Sequence, residues 1–207
     1  MDGRESSAAR MIDAAEHLME TEGISGVTVR SVARASGLSH GAPRRYFPTL
    51  AALHAAVAQR GLQDLRRRIE REVGENTEPA ARLRAAALAY VRYAVERPDM
   101  FALVFRHDIL ANSGMHLRGT SLPLFAFVTD LVEPLAGTDT HVRAVQIWTA
   151  VHGIAALSST TALSVVTEVD STALVDAAVE SIVDTNRGDP NREGPSQPAM
   201  DFTDAGS

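Results

Sequence analysis

Apolar residues recur along this chain with the period of a helix almost from end to end. In residues 5–21, Ala8, Met11, Ile12, Ala15, Leu18 and Met19 share one i, i+3, i+4, i+7 stripe. Gly23 and Gly26 end that segment. Thr28 then suits the N-cap of a helix to about Ala35 that buries Val29, Val32 and Ala33. Gly37 supplies a turn. Ser39 suits a second N-cap, for a short helix to about Phe47 with Pro43 in its first turn and Pro48 closing it. A long helix is expected over 49–73 on the stripe Leu53, Val57, Leu62, Leu65 and Ile69, with Gly61 inside it as a tolerated glycine or a bend. The stretch GENTEP, 74–79, marks a boundary. Helices are predicted beyond it over 79–96, from Pro98, over 117–135 with a kink or interruption near Pro123, over 140–163 and over 171–185. No stretch alternates as a half-buried strand does, so the fold class is all-α. From 186 the chain is polar, with Pro190, Pro195 and Pro198, and is expected to be a disordered tail. The division read from this pattern is 1–48, 49–185 and 186–207.

Charge adds the first functional clue. The chain carries a formal net charge of −6, so as a whole it repels nucleic acid. Yet no Asp or Glu occurs between Gly23 and Leu50, while Arg30, Arg34, Arg44 and Arg45 do. An acid-free helical pair in an acidic chain points to a local surface for a polyanion, most simply DNA. Cysteine is absent, which excludes disulfides, thiolate zinc sites and Cys nucleophiles and suits a reducing cytosol. No apolar run approaches the roughly 18 residues of a membrane span, and MDGRESSAAR lacks the core of a signal peptide. A cytoplasmic protein with no membrane contact is expected. Nucleophile-elbow, phosphate-loop, dinucleotide and HExxH motifs are all missing, and His107, Asp108 and His116 lack a tight ligand spacing. No catalytic residue, metal or cofactor is therefore expected.

Two short helices joined by a glycine turn form a helix-turn-helix, whose later helix presents its N-terminal residues to base edges in the major groove. Those residues are Ser39, His40, Gly41 and Ala42, followed by Arg44 and Arg45. Gly41 and Ala42 permit close approach, and Ala42 can touch a thymine methyl. Each arginine can read guanine or fork a phosphate. Thr28 and Tyr46 suit phosphate contacts, Thr28 from a helix N-terminus. Arg30 and Thr49 complete the candidate set. The run Arg66–Arg68 with Arg71 is interleaved with Glu70 and Glu72, so it reads as a solvated helix face.

The stretch GISGVTVRSVARASGLSHGAPRRYFPTLAAL resembles the DNA-binding domain of the tetracycline-repressor-like (TetR) family of bacterial regulators. The likeness covers about residues 8–57. It rests on the METEG helix end, the Thr28 start, Val32-Ala33, Gly37 and the Phe47-Pro48 close. Two positions depart from the pattern: Arg44 stands where a tyrosine is common, and Leu50 where a phosphate-gripping lysine often opens the fourth helix. WTAVHGIAAL, preceded by RPDMFALVFR, looks like a TetR subgroup named for a Trp–His–Gly signature, here Trp148, His152 and Gly153. Gly153 suits a close helix approach.

The resemblance implies about nine helices. The first three bind a double-stranded operator, and the rest enclose a pocket for a small-molecule effector. The last two long helices pair in a homodimer through Val142, Val145, Thr149, His152 and Ala156 with Leu174, Ala177, Ala178 and Ile182. It implies a ligand-responsive repressor on a near-palindromic operator. Tyr90, Tyr93, Met100, Phe101, Phe105, Phe125, Trp148 and His152 are the candidate pocket residues, with plain core packing as the alternative for each. Two rivals stay open. One is a DNA-binding regulator whose C-terminal part only dimerises or docks a protein, which a filled core near Trp148 would favour. The other is a helical-bundle enzyme or metal protein.

Overall fold

The first apolar stripe forms helix α1, Gly3–Glu22, with Met11, Ala15, Leu18 and Met19 buried. Gly23 ends it at φ 72°, a conformation only glycine adopts without strain. One 3-10 turn at Ile24–Gly26 leads into α2, Val29–Ala35, and then come α3, Ala42–Tyr46, and α4, Leu50–Gly74. The remainder is α5 (Pro79–Glu96), α6 (Pro98–Val104), α7 (Arg118–Ala136), α8 (Thr140–Ser159), α9 (Ala162–Val166) and α10 (Ser171–Arg187). This computed structural model describes residues 3–39, 42–74, 76–106, 110, 118–136 and 139–187. Among them there are ten α-helices and no strand.

Prolines open both α5 and α6. Pro79 opens α5 beneath an N-cap at Glu78, and Pro98 opens α6 directly after Arg97. Helix α5 is the hub, packing against α4, α6, α7, α8 and α10, while α1 packs on α4 and α6. One apolar core runs through both parts, from Met11 to Ile182.

Three element predictions are corrected. The helix expected over 140–163 stops at Ser159. The hydroxyls of Ser159 and Thr160 bond back to the Ala156 carbonyl, and Thr161 turns to φ 59° before α9 begins, which gives the tenth helix. Helix α7 runs through Pro123 without a break. Helix α3 spans Ala42–Tyr46, and His40 and Gly41, which separate it from the N-cap predicted at Ser39, lie outside the described residues. Helix α10 continues past 185 to Arg187, and residues 188–207 lie outside the described residues.

Neither reading of Gly61 matches what surrounds it. A Cβ built there would lie 2.4 Å from Met100 Sδ and 2.8 Å from Met100 Cγ. The Tyr93 hydroxyl donates to the Gly61 carbonyl at 2.9 Å. Gly61 is the point of close approach between α4 and the α5–α6 corner. At Gly153, where close approach was expected, nothing stands within 4 Å of such a Cβ. Gly61→Ala should therefore destabilise the chain by about 1–3 kcal/mol through overpacking, overriding the roughly 1 kcal/mol of helix propensity that alanine brings. Thermal denaturation checks it; a stabilised variant would show that Met100 moves aside freely.

Candidate nucleic-acid interface and ligand cavity

Local chemistry builds the N-terminal surface. Thr28 caps α2 in a reciprocal box: Ser31 N–H donates to Thr28 Oγ1 at 3.0 Å, and Thr28 N–H donates to Ser31 Oγ at 2.9 Å. Thr49 caps α4 through a single bond, its hydroxyl oxygen accepting from Ala52 N–H at 3.0 Å. Both threonines are exposed. At Thr49 the hydroxyl oxygen serves the helix and its proton is left to donate to an anion at the helix N-terminus, whereas Thr28 Oγ1 also bonds Ser31 Oγ at 2.9 Å, the Ser31 proton going to the Gly26 carbonyl at 2.6 Å. Between α2 and α3, Gly37 at φ 66° makes the turn, its geometry held by Leu38 N–H on the Ala33 carbonyl and by Arg10 on the Ser36 carbonyl.

Arg30, Arg34, Arg44 and Arg45 are all exposed, and none forms an ion pair among the described residues. Ser39 is exposed as well. Tyr46 is half-buried and packs on the core beside Phe47 and Leu50. His40 and Gly41 lie outside the described residues. Ala42 opens α3, and its side chain is not described. The basic run on α4 is paired: Arg66 with Glu70, Arg67 and Arg68 with Asp64, and Arg68 also with Glu96.

One side chain that the sequence did not mark ties this surface to α4. His54 is buried on α4 with its imidazole close to the backbone of Val27, just before the Thr28 cap, and Nε2 has no partner among the described residues. Burial holds this imidazole below its ordinary value of 6.5, outweighing the opposite pull of the Val27 backbone. The unfolded chain thus takes up a proton that the folded chain resists. The stability His54 contributes is complete above about pH 6.5 and is lost as pH falls below it. The thermal midpoint should accordingly drop more between about pH 7.5 and 5.5 in the parent than in His54→Gln; equal drops would remove His54 as a source of acid sensitivity.

In the C-terminal part a cavity of about 330 Å³ opens between α4, α5, α7 and α8. Tyr90, Phe105, Phe125 and Trp148 line it, with aliphatic residues between them, among them Leu62 and Ile69 from α4 and Ile147 and Val151 from α8. Tyr93, Met100 and Phe101 stand outside it. The first two fill the contact with Gly61, and Phe101 meets Tyr90 edge-on, ring centroids 5.5 Å apart. His152 lies behind the wall, stacked on Trp148 at 5.6 Å and bonded through Nδ1 to the Tyr90 hydroxyl at 2.9 Å. Burial lowers the affinity of His152 for a proton and pushes the Tyr90 hydroxyl further from ionising. The aliphatic lining went unpredicted, because Leu62 and Ile69 carry the same helical period as any core residue.

Among the described residues no helix is long and apolar enough to cross a membrane, and no group of three metal-ligating side chains is found. His107, Asp108 and His116 lie outside the described residues.

Residues 11–57 match the family described as bacterial regulatory proteins, tetR family, and residues 83–182 match the tetracyclin repressor-like C-terminal domain. An uncharacterised HTH-type transcriptional regulator of Mycobacterium tuberculosis is 31% identical over 98 residues, 47% of this chain and 48% of its own length. The chain thus spans about half the length of the curated relatives it matches. A Rhodococcus sp. RHA1 structure of unknown function aligns with TM-score 0.75 at 25% identity, over 86% of this chain and 94% of its own. A TetR-like transcriptional regulator from the same organism aligns with TM-score 0.64 at 16% identity, over 90% of this chain and 97% of its own.

Proposed function

Since the chain belongs to the tetR family of bacterial regulatory proteins, we propose that it is a cytoplasmic, homodimeric repressor that releases a near-palindromic operator when a small molecule fills its cavity. The division of labour follows the sequence: residues 1–48 hold DNA, and 49–185 hold the effector and the partner subunit. The reading includes the Trp–His–Gly subgroup, and the stacking of Trp148 on His152 supports it.

One observation carries the ligand-responsive part. Helix α4 contributes Leu62 and Ile69 to the cavity wall and, two turns earlier, His54 to the anchor under α2. Eight residues of helix separate His54 from Leu62, about 12 Å. A ligand that prefers one position of α4 thereby prefers one setting of the DNA-binding helices, and by linkage DNA opposes that ligand equally. The rival without a ligand calls for a filled core around Trp148, whereas Trp148 borders a cavity. Footprinting of the purified chain on DNA upstream of its own gene tests the reading. It expects two protected half-sites whose spacing follows the helical repeat. Binding no tighter than to unrelated DNA would end it.

The dimer face proposed here is narrower than the sequence suggested. On α8, Val142 and Val145 are 56% and 38% exposed, and Thr149 lies beside them. Ala177 on α10 is also open. Ile182 is buried in the subunit's own core and His152 faces Tyr90, so neither is free to pair. Replacing Val142 and Val145 together by Glu should weaken the dimer at least about tenfold by setting charges against an apolar partner. Sedimentation equilibrium reads this, and a parent chain that is already monomeric at micromolar concentration would refute the face.

A further inference from the structure

We infer that the effector is an uncharged, compact and mostly apolar molecule of one or two rings, whose single hydroxyl or carbonyl group meets the Tyr90–His152 pair. This rests on the reading of the cavity as the effector site and adds the chemistry of what enters it.

Size sets the first bound. At about 330 Å³ the cavity is near the lower end of the roughly 300–1,000 Å³ typical of ligand pockets, and about twice the roughly 150 Å³ that admits benzene. Charge sets the second. Every described lining residue is aliphatic or aromatic, and none is Arg, Lys, Asp or Glu. A carboxylate, phosphate or ammonium group would enter without a counter-charge, at a desolvation cost that nothing in this wall offsets.

Polarity sets the third. The lining offers one tyrosine hydroxyl, that of Tyr90, backed by His152 Nδ1 at 2.9 Å. Burial disfavours the charged form of each group. If Nδ1 is bare it takes the tyrosine proton and leaves the phenol oxygen as an acceptor; if Nδ1 carries the proton, the phenol O–H is free to donate. A ligand hydroxyl suits either arrangement and a carbonyl suits the second. Phe125 and Trp148 meet edge to face, centroids 6.2 Å apart at 86°, and frame a slot for a ring.

The chain contains a single tryptophan, and it lines this cavity, so Trp148 fluorescence reports binding without a label. The test titrates the full chain with cyclooctanol, cyclooctanecarboxylate and cyclooctylammonium, three transparent probes that share a ring and differ in charge. Cyclooctanol should change the emission saturably, with the two ions at least about 30-fold weaker at neutral pH. Tyr90→Phe should weaken cyclooctanol by about three- to tenfold. An ion that binds as tightly as the alcohol overturns the effector class and leaves the cavity as a binding site. Unchanged cyclooctanol affinity in Tyr90→Phe overturns the assignment of the polar pair. No response to any probe, or an undiminished response in Ala86→Phe and in Ile147→Phe, which block the cavity from two different helices, overturns the cavity reading itself.

Discussion

Replacing Arg97 with alanine should cost the chain about 2–4 kcal/mol and loosen α1 from the rest of the molecule. Arg97 sits at the α5–α6 corner with its side chain only 14% exposed, and its guanidinium is shared by Glu16 and Glu20 on α1 and Asp64 on α4. Truncation leaves Glu16 and Asp64, 18% and 23% exposed, facing each other across a partly buried seam. Of their remaining cations, Arg60 is shared by Asp13 and Glu16, Arg68 is shared by Glu96 and Asp64, and Arg67 reaches Asp64 at 3.4 Å from a side chain 65% exposed. The figure is set below the 3–5 kcal/mol typical of a fully buried pair, because solvent reaches the carboxylates. Urea denaturation measures the loss. Hydrogen exchange should quicken in α1 while α8 and α10 keep their protection. Arg97→Lys should recover only part, since an ammonium lacks the planar fork that three carboxylates use. Arg66→Ala, on the open Arg66–Glu70 pair, should cost under about 1 kcal/mol. A loss that small for Arg97→Ala would mean water already screens the network.

That network shows where sequence reasoning stops. Thr28, Gly37, Pro79 and Pro98 act within a turn of themselves, and the elements they bound were legible from spacing and capping alone. Arg97 and Glu16 are 81 positions apart, and no local rule pairs them. The role of Gly61 is hidden from the sequence for the same reason. The crowding at Gly61 comes from Met100, on another helix, while Gly153 lies open in the single chain. The cavity was half legible. Its aromatic members drew notice as bulky residues that need partners. Its aliphatic members were indistinguishable from core, because a wall and a core present the same apolar period until the space between them is known. The break at Thr161 was hidden by a strongly apolar run on both sides.

The double variant Arg44→Ala/Arg45→Ala should lower operator affinity by about a thousandfold while leaving the fold intact. Both side chains are exposed and unpaired among the described residues, so removing them empties no core and strands no charge. In a dimer four arginines are lost, and at about 1 kcal/mol or more each the total reaches some 4 kcal/mol. The single variants divide the roles. An arginine on phosphate should flatten the salt dependence by about 0.9 per contact, hence by about 1.8 for a dimer, at every sequence alike. An arginine on guanine should leave that slope nearly unchanged and relax preference by about 1–3 kcal/mol at one position in each half-site. The demand on these residues is raised by Leu50. At the position where a lysine often grips phosphate, Leu50 is half-buried and packed on the core, so it supplies no cation. Tyr46 is likewise half-buried against the core. The cationic grip around α3 then falls to Arg44 and Arg45, with Arg30 and Arg34 on α2 as the nearest reserve in an acid-free stretch of an otherwise acidic chain. Parent-like affinity in the double variant would take α3 out of the major groove and move the contact onto α2.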